Sequence, residues 1–206
     1  AESSRTIIAL GQYTLRRACT ETLQWMKTNG RPLRLNVNVS PAEIMSDGFV
    51  GSLFDILEET RFPPDLLELE ITERGILEDM NASRDQLNSI RARGVTVSLD
   101  DFGTGHSSLS RLESLPVDRI KIDRSFFAQA AQSSRAQKLV ALMSRMGDVL
   151  DVDIVAEGIE TEEQLTLVRL AGFAKVQGYL LGRPASLEDL VIPDDDEGLA
   201  PLQNIA

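Results

Sequence analysis

Six short segments typical of β-strands recur along the chain, and helical stretches separate them. Capping boxes at Ser40-Pro-Ala-Glu43 and Thr161-Glu-Glu-Gln164 mark two of the helix starts. Strands that alternate with helices in this way are parallel, because a parallel connection needs a long crossover. The sequence therefore predicts an α/β fold. The predicted strands are Leu33–Val39, Leu66–Thr72, Val95–Asp101, Arg119–Asp123, Asp153–Ile159 and Lys175–Leu181.

The two faces of these strands distinguish between two α/β architectures. The run Leu67-Glu-Leu-Glu-Ile71 places apolar residues on one face and glutamates on the other. Strands of an open, doubly wound sheet are apolar on both faces, so the alternation favours a (β/α)8 TIM-type barrel. A complete barrel has eight strands in roughly 250 residues. About six of them are expected here, after an opening helix over Thr6–Asn29 that stops at Gly30.

The composition excludes several classes of protein. A net charge of −11, from 32 acidic and 21 basic residues, is unsuited to binding nucleic acid polymers, which are held mainly by Lys and Arg. No segment approaches the roughly 20 apolar residues that cross a bilayer, and no signal peptide is recognisable. The one cysteine, Cys19, lies on an apolar helical stripe and is expected to be buried. We expect a cytoplasmic domain, or the cytoplasmic part of a larger membrane-attached protein.

Polar residues stand at or near the carboxyl end of each predicted strand. In a barrel those ends share one face, where active sites are found. Single residues also have structural explanations: Asp101 could cap a helix, and Lys121 could pair with Asp123. Burying several acids together is costly unless they meet cations, so the set as a whole favours a metal site. Its members are Asn38, Glu70, Asp100, Asp101, Lys121, Glu157 and Gln177.

The chemistry of these side chains narrows the choice of metal. Carboxylate and amide oxygens select hard ions such as Mg²⁺ or Mn²⁺, and a single histidine, His106, argues against a histidine-rich zinc site. Adjacent acids such as Asp100 and Asp101 can hold two ions about 3.5–4 Å apart, which suits attack on a phosphodiester. The next segment, Gly103-Thr-Gly-His-Ser-Ser108, is either a phosphate-binding loop or a plain turn into a helix.

Five short motifs follow one another in the chain. They are Leu69-Glu-Ile-Thr-Glu73, Asp100-Asp-Phe-Gly-Thr-Gly105 with Ser107-Ser-Leu109, Pro116-Val-Asp-Arg-Ile-Lys-Ile-Asp-Arg-Ser-Phe126, Val155-Ala-Glu-Gly-Ile-Glu-Thr161 and Gln177-Gly-Tyr179. Together they resemble the EAL family of bacterial cyclic di-GMP phosphodiesterases. With Val37-Asn-Val-Ser40 and the opening helix, the resemblance extends from about residue 2 to residue 190. It implies a β/α barrel that opens cyclic di-GMP to linear pGpG with two Mg²⁺ or Mn²⁺ ions.

The resemblance also implies which residues bind metal. Asn38, Glu70 and Asp100 would bind the first ion. Asp100 would also reach the second ion, and Asp101 would complete that side. Glu157 would ligate or orient at the second ion.

Other roles follow from the same resemblance. Lys121 would hold or help to deprotonate the attacking water, and Gln177 would orient groups at the site. Glu73 would anchor the loop that follows its strand, about Arg74–Met80, which shapes the second-metal site and often takes part in dimer contacts. The residues expected to act in catalysis are Lys121, Glu157 and Asp101.

The Glu-Ala-Leu signature that names the family is absent, as is the strand before it. This agrees with the count of six strands. Were residues 1–206 the whole protein, we would expect a poor hydrolase, because a metal-binding glutamate would be missing. Two functions fit the sequence: a metal-dependent cyclic di-GMP phosphodiesterase in bacterial second-messenger signalling, and a catalytically impaired module that binds cyclic di-GMP or contacts another protein.

The expected domain covers residues 1–192, and the acidic residues 193–206 are expected to form a tail or linker. The expected partners are cyclic di-GMP and, as in many family members, a second copy of the chain. Diguanylate-cyclase-like or sensor domains are expected in the parent protein.

Overall fold

The computed structural model describes residues 2–72, 80–103, 112, 114–130 and 133–190 of the chain. Helices and strands alternate along it, as predicted. The described helices are α1 (Glu2–Asn29), α2 (Pro41–Ile44), α3 (Phe49–Thr60), α4 (Met80–Arg91), α5 (Arg124–Ala130), α6 (Ser134–Leu150) and α7 (Glu162–Leu170). The strands are β1 (Leu35–Val39), β2 (Leu67–Thr72), β3 (Thr96–Phe102), β4 (Arg119–Ile122), β5 (Asp153–Ala156) and β6 (Lys175–Val176).

Strands that are consecutive in the chain are neighbours in the sheet within each of the two units described next. The chain divides into two compact units between Val97 and Ser98. In the first unit β1 and β2 are parallel, with Asn38 beside Glu70 in the register. In the second unit β4 pairs in parallel with the end of β3 and with β5, and β5 pairs with β6. Within each unit the carboxyl ends of the parallel strands therefore lie at one edge.

The opening helix α1 packs on α3 and β1 in the first unit. Leu15, Cys19 and Thr22 recur at helical spacing and are all buried. The helix ends at Asn29, and Gly30 follows with φ of 66°, a conformation that glycine adopts without steric cost. The predicted stop at Gly30 and the predicted burial of Cys19 are both confirmed.

We expect the Cys19 thiol to be unreactive in the folded protein. Burial is the largest effect on this group and raises its pKa to about 12, so very little thiolate forms near neutral pH. Labelling with an aromatic disulfide at increasing urea concentration, beside the helical circular dichroism signal, would measure this. Modification should begin only where the helical signal falls. Rapid labelling in the absence of urea would contradict the burial of Cys19.

Both predicted capping boxes are present. The Ser40 hydroxyl accepts the N–H of Glu43, and a Glu43 carboxylate oxygen accepts the N–H of Ser40 at 2.9 Å. The Thr161 hydroxyl and the Gln164 side chain make the same exchange at the start of α7. Each box satisfies N–H groups that have no partner within the helix, so these two helices begin where the sequence predicts.

The polar faces of the central strands are buried as well as the apolar faces. Every residue of β2 from Leu67 to Ile71 is buried, and the exposed fractions of Glu68 and Glu70 are 0% and 3%. Lys121 in β4 is 2% exposed. The alternation in the sequence therefore does not mark a solvent-exposed face. It marks an interior that holds charged side chains, which is costly unless those charges are paired.

An apolar core in the second unit fixes α5 just after β4. Ile120 and Ile122 of β4 are fully buried. Phe127 of α5 meets Phe173 edge to face, with ring centroids 5.7 Å apart and an interplanar angle of 83°. Such aromatic pairs contribute about 0.5–1.5 kcal/mol beyond their buried area. Helix α5 is thus held against the segment that follows α7.

Two strands are shorter than the sequence predicts. The predicted strand Asp153–Ile159 is wrong beyond Ala156, because Gly158 turns the chain with φ of 63°. The predicted strand Lys175–Leu181 is wrong beyond Val176. There the N–H of Leu180 donates to the carbonyl of Ile159 at 3.0 Å, within a turn. Among the described residues, no helix combines the length and apolar character needed to cross a membrane.

Candidate metal centre

Asp100 and Asp101 end β3 in a β-bulge. The register between β3 and β4 shifts between Leu99 and Phe102, and Asp101 has a left-handed backbone with φ of 55°. In a regular strand two successive side chains point to opposite faces, whereas a bulge redirects one of them. The Asp100 carboxylate accepts the N–H of Asp101 at 2.9 Å, which offsets part of the roughly 1–2 kcal/mol cost of the left-handed conformation. The bulge therefore brings two adjacent carboxylates to one site.

Lys121 connects the bulge to the end of β5. Its Nζ lies 2.6 Å from a Glu157 carboxylate oxygen and 3.7 Å from a carboxylate oxygen of Asp100. The N–H of Glu157 donates to the carbonyl of Ile122 at 3.0 Å, which carries the strand pairing one residue beyond β5. The lysine side chain is 3% exposed and the two carboxylates 17% and 16%. Because water screens them poorly, these charges interact more strongly than a surface pair.

Burial and neighbouring charge change the acidity of two of these groups. For Glu157 burial is the largest effect and Asp100 adds to it, so the pKa rises to about 7 although Lys121 opposes the shift. The pKa of Asp101 is raised by burial and then by the charges of Asp100 and Asp123. Among the described residues, Lys121 brings one positive charge to the cluster, whereas Asp100, Asp101 and Glu157 can carry three negative charges. Full ionisation at neutral pH therefore requires more positive charge at this site.

The donor set of the cluster fits a hard divalent cation. Asp100, Asp101 and Glu157 each offer a carboxylate oxygen, and the three oxygens lie within 4.8 Å of one another. Oxygen donors of this kind suit Mg²⁺ and Mn²⁺ better than softer metals. The excess negative charge is a second, independent reason for a cation here.

In the first unit, Glu70 is held by an asparagine that lies outside the five motifs. Asn36 Nδ2 donates to Glu70 Oε1 at 2.8 Å, and both side chains are buried. Asn38, two residues further along the same face of β1, is exposed and lies beside Glu70 in the register. The bond orients the Glu70 carboxylate, as partners of metal ligands commonly do. Asn36 and Asn38 are two residues apart and therefore lie on the same face of the strand, and this spacing is the sequence feature that indicates a role for Asn36.

Gln177 is placed by its backbone. Its N–H donates to the carbonyl of Ala156 at 2.8 Å, and its own carbonyl accepts the N–H of Ile159 at 3.0 Å. The half-buried Gln177 thus lies beside the segment that bears Glu157.

The predicted site residues fall into three groups. In the second unit the structure brings together Asp100, Asp101, Lys121 and Glu157, and Gln177 lies beside the segment of Glu157. In the first unit Asn38 and Glu70 are neighbours. Glu73, the loop segment 74–79, His106 and the tail 193–206 lie outside the described residues. Lys121 Nζ contacts Glu157 and Asp100, and an Asp123 carboxylate oxygen accepts the N–H of Ser125 at 2.9 Å.

A parallel α/β fold with carboxylates clustered at its strand ends is an arrangement that can hold a divalent cation. Comparison with known families makes this specific. The family model of the EAL domain matches residues 1–184. The chain belongs to the EAL domain family, the family of cyclic di-GMP phosphodiesterases.

Curated relatives of the chain are larger proteins. A signaling protein of Caulobacter vibrioides is 42% identical over 93% of this chain and 23% of its own length. The bifunctional diguanylate cyclase/cyclic di-GMP phosphodiesterase MucR of Pseudomonas aeruginosa is 37% identical over 93% of this chain and 28% of its own length. The chain spans about a quarter of the length of the curated relatives it matches.

Solved structures of EAL proteins match the fold closely. The MucR phosphodiesterase in complex with cyclic di-GMP superposes with a TM-score of 0.84 at 37% identity, covering 93% of this chain and 77% of that chain. BlrP1 of Klebsiella pneumoniae, in complex with manganese and cyclic di-GMP, superposes with a TM-score of 0.76 at 28% identity. The match covers 88% of this chain and 45% of that chain. These matches confirm the predicted TIM-type α/β fold of the EAL family.

Proposed function

We propose that this chain hydrolyses cyclic di-GMP to linear pGpG with Mg²⁺ or Mn²⁺ as the cofactor. The observation that carries the proposal is the contact of Lys121 Nζ with Glu157 at 2.6 Å, beside the paired carboxylates of Asp100 and Asp101. Related EAL structures with cyclic di-GMP, and with manganese in BlrP1, support the same substrate and metal class.

The proposal assigns the metal to named residues. Asp100, Asp101 and Glu157 would hold a metal ion in the second unit, and Asn38 and Glu70 would offer oxygen ligands in the first unit. Bound ions would supply Lewis acidity, neutralising charge on the phosphodiester and making water easier to deprotonate.

The remaining residues act on water and on the orientation of the site. We assign to Lys121 two functions: its Nζ orients the attacking water, and its contact with Glu157 holds that carboxylate in place. Gln177, anchored through its backbone, orients groups of the substrate. The hydrogen bond from Asn36 Nδ2, at 2.8 Å, orients the Glu70 carboxylate. Glu73 keeps its proposed role as the anchor of the loop after β2.

We expect release of pGpG only when Mg²⁺ or Mn²⁺ is present. Treatment with excess chelator should reduce turnover by at least about a hundredfold, because the electrostatic stabilisation of the reaction is lost. Adding back either ion should restore it, whereas Ca²⁺ should bind but support little turnover, since its coordination is looser. Chromatographic detection of pGpG, with Ca²⁺ and substrate binding measured by calorimetry, would test each step.

The outcomes of this experiment separate the candidate functions. Full activity in excess chelator would contradict the metal-dependent mechanism. Binding of cyclic di-GMP without pGpG at saturating Mn²⁺ would favour the alternative, a module that senses the dinucleotide or contacts another protein.

We propose further that the chain works within a larger signalling protein. Its relatives are about four times as long, and MucR is described as bifunctional with a diguanylate cyclase. Diguanylate-cyclase-like or sensor domains and a second copy of the chain are the partners that this proposal includes.

A further inference from the structure

The first turn of α5 contacts two other turns, which follow the strands on either side of β4. Helix α5 begins at Arg124, two residues after β4 ends. The partners of β4 in the sheet are β3 and β5. Gly103 follows β3, and Gly158 follows the residue after β5. Both glycines therefore lie next to carboxylate-bearing segments of the candidate metal centre.

On the β3 side, the ring of Phe126 lies directly against Gly103. A Cβ added to Gly103 would meet Cε2 and Cζ of Phe126 at 2.4 Å and 2.5 Å, closer than any ordinary contact. Gly103 has φ of 94° and ends the bulge that contains Asp100 and Asp101. Since the register of β3 is already broken at the bulge, this ring supplies a contact that the strand pairing does not.

On the β5 side, the same turn lies against Gly158. A Cβ added to Gly158 would meet the Cβ of Arg124 at 2.3 Å. Gly158 adjoins Glu157, whose N–H makes the last bond to β4. One helical turn thus packs against the backbone beside Glu157 and the backbone beside Asp101.

We infer that the first turn of α5 is a wedge that sets the separation between Glu157 and the Asp100–Asp101 pair, with Phe126 as its principal positioning residue. Packed interiors transmit small displacements rather than absorb them, so a change in the wedge moves the carboxylates that it separates. The inference rests on the proposed function of these carboxylates as metal ligands. Phe126 has no atom that ligates a metal ion, so it acts through the Gly103 backbone.

The first test removes the ring. Phe126→Ala should weaken Mn²⁺ binding by about tenfold, the scale for residues that orient metal ligands, and Phe126→Leu should recover most of that loss. Electron paramagnetic resonance of free Mn²⁺ gives the affinity without substrate. Phe127→Leu is the matched control, because Phe127 is a fully buried neighbour that contacts Phe173 rather than Gly103. That variant should lose stability and keep its Mn²⁺ affinity.

The second test adds a methyl group where the wedge leaves no space. Gly103→Ala should weaken Mn²⁺ binding strongly because its Cβ would overlap the Phe126 ring. Gly94→Ala is the matched control. Gly94 has φ of 93°, and a Cβ added there would have its nearest neighbours at 3.9 Å. Both substitutions place a side chain at nearly the same positive φ, so Gly94→Ala controls for that strain, and the double variant below isolates the overlap with the Phe126 ring. In the double variant with Phe126→Ala, Gly103→Ala should cause a smaller further loss of affinity than it does alone.

The results discriminate between this inference and the proposed function. Normal Mn²⁺ affinity in folded Phe126→Ala, equal losses in Gly103→Ala and Gly94→Ala, or equal losses in Phe126→Ala and Phe127→Leu would each overturn the wedge. If Phe126→Ala does not fold, the two glycine variants decide the question. If wild-type protein binds Mn²⁺ and the variants lose it while none releases pGpG, the wedge stands and the proposed hydrolysis fails.

Discussion

Replacing Asp100 by Asn should lower the turnover of cyclic di-GMP by about 10²–10³-fold, and by more than replacing Asp101. Asp100 is only 17% exposed, lies 3.7 Å from Lys121 Nζ, and raises the pKa of Glu157. Asp101 is exposed and lies at the outer end of the bulge. Losing the Asp100 charge therefore disturbs every other charged group of the cluster, whereas losing the Asp101 charge disturbs fewer.

The Asn substitution is informative because it is nearly isosteric. Its side-chain oxygen can still accept the N–H of Asp101, so the bulge keeps its bond while the charge is lost. Asp148→Asn, at an exposed position of α6 in the same unit, is the control for a general change in charge. Steady-state kinetics at several Mn²⁺ concentrations, with circular dichroism to verify folding, would measure the effect. Near-normal kinetics in folded Asp100→Asn would show that this carboxylate is not a ligand.

Of these substitutions, replacing Lys121 by Met should lower the free energy of unfolding most. The side chain is 3% exposed, and its loss leaves the Glu157 and Asp100 carboxylates without their cation. Breaking a buried ion pair on one side costs about 3–5 kcal/mol. Urea denaturation in metal-free buffer would measure the loss. Lys175→Met is the control, because Lys175 is 33% exposed and its pair with Asp153 is worth at most about 1 kcal/mol.

The loss of stability in Lys121→Met should depend on pH in a definite direction. The pKa of Glu157 is already raised from 4.5 to about 7, and Lys121 is the group that opposes that shift, so the variant should have a still higher pKa. A group with a raised pKa in the folded state contributes stability that is fully present below its unfolded pKa and is lost as pH rises through its folded pKa. The deficit of the variant should therefore be small near pH 4.5 and grow through neutral pH.

A second substitution identifies the group responsible. Adding Glu157→Gln to Lys121→Met removes the uncompensated charge and should restore part of the stability near neutral pH, though not the release of pGpG. A deficit that stays constant with pH, or that Glu157→Gln leaves unchanged, would argue against Glu157 as its source.

The parts of this fold that the sequence predicts are those that depend on near neighbours in the chain. The capping boxes at Ser40 and Thr161 involve residues three positions apart, and the stop at Gly30 needs only a residue that tolerates positive φ. The end of β6 depends on contacts between distant segments. Nothing in the run after Val176 indicates that Leu180 bonds to the backbone of Ile159 instead of continuing the strand.

The site was predicted as a set of residues but not as an arrangement. Strict strand alternation would separate the side chains of Asp100 and Asp101, and only the left-handed backbone at Asp101 brings them together. Aspartate tolerates that conformation better than most residues, but the sequence does not show where it is used. The bond from Asn36 to Glu70 likewise depends on the pairing of β1 with β2, which no local pattern reveals.

If Asp100, Asp101 and Glu157 bind a divalent ion as proposed, the stability of the folded domain should depend on the concentration of that ion. In the absence of a cation, mutual repulsion of the acids favours any conformation that separates them. An ion that binds only the folded arrangement removes that repulsion and adds stability in proportion to the logarithm of its concentration, about 2.7 kcal/mol at a hundred times its dissociation constant. The melting temperature of the chain should then rise with free Mg²⁺ or Mn²⁺. Local order around the bulge would then increase with the concentration of free Mg²⁺ or Mn²⁺, even in the absence of substrate.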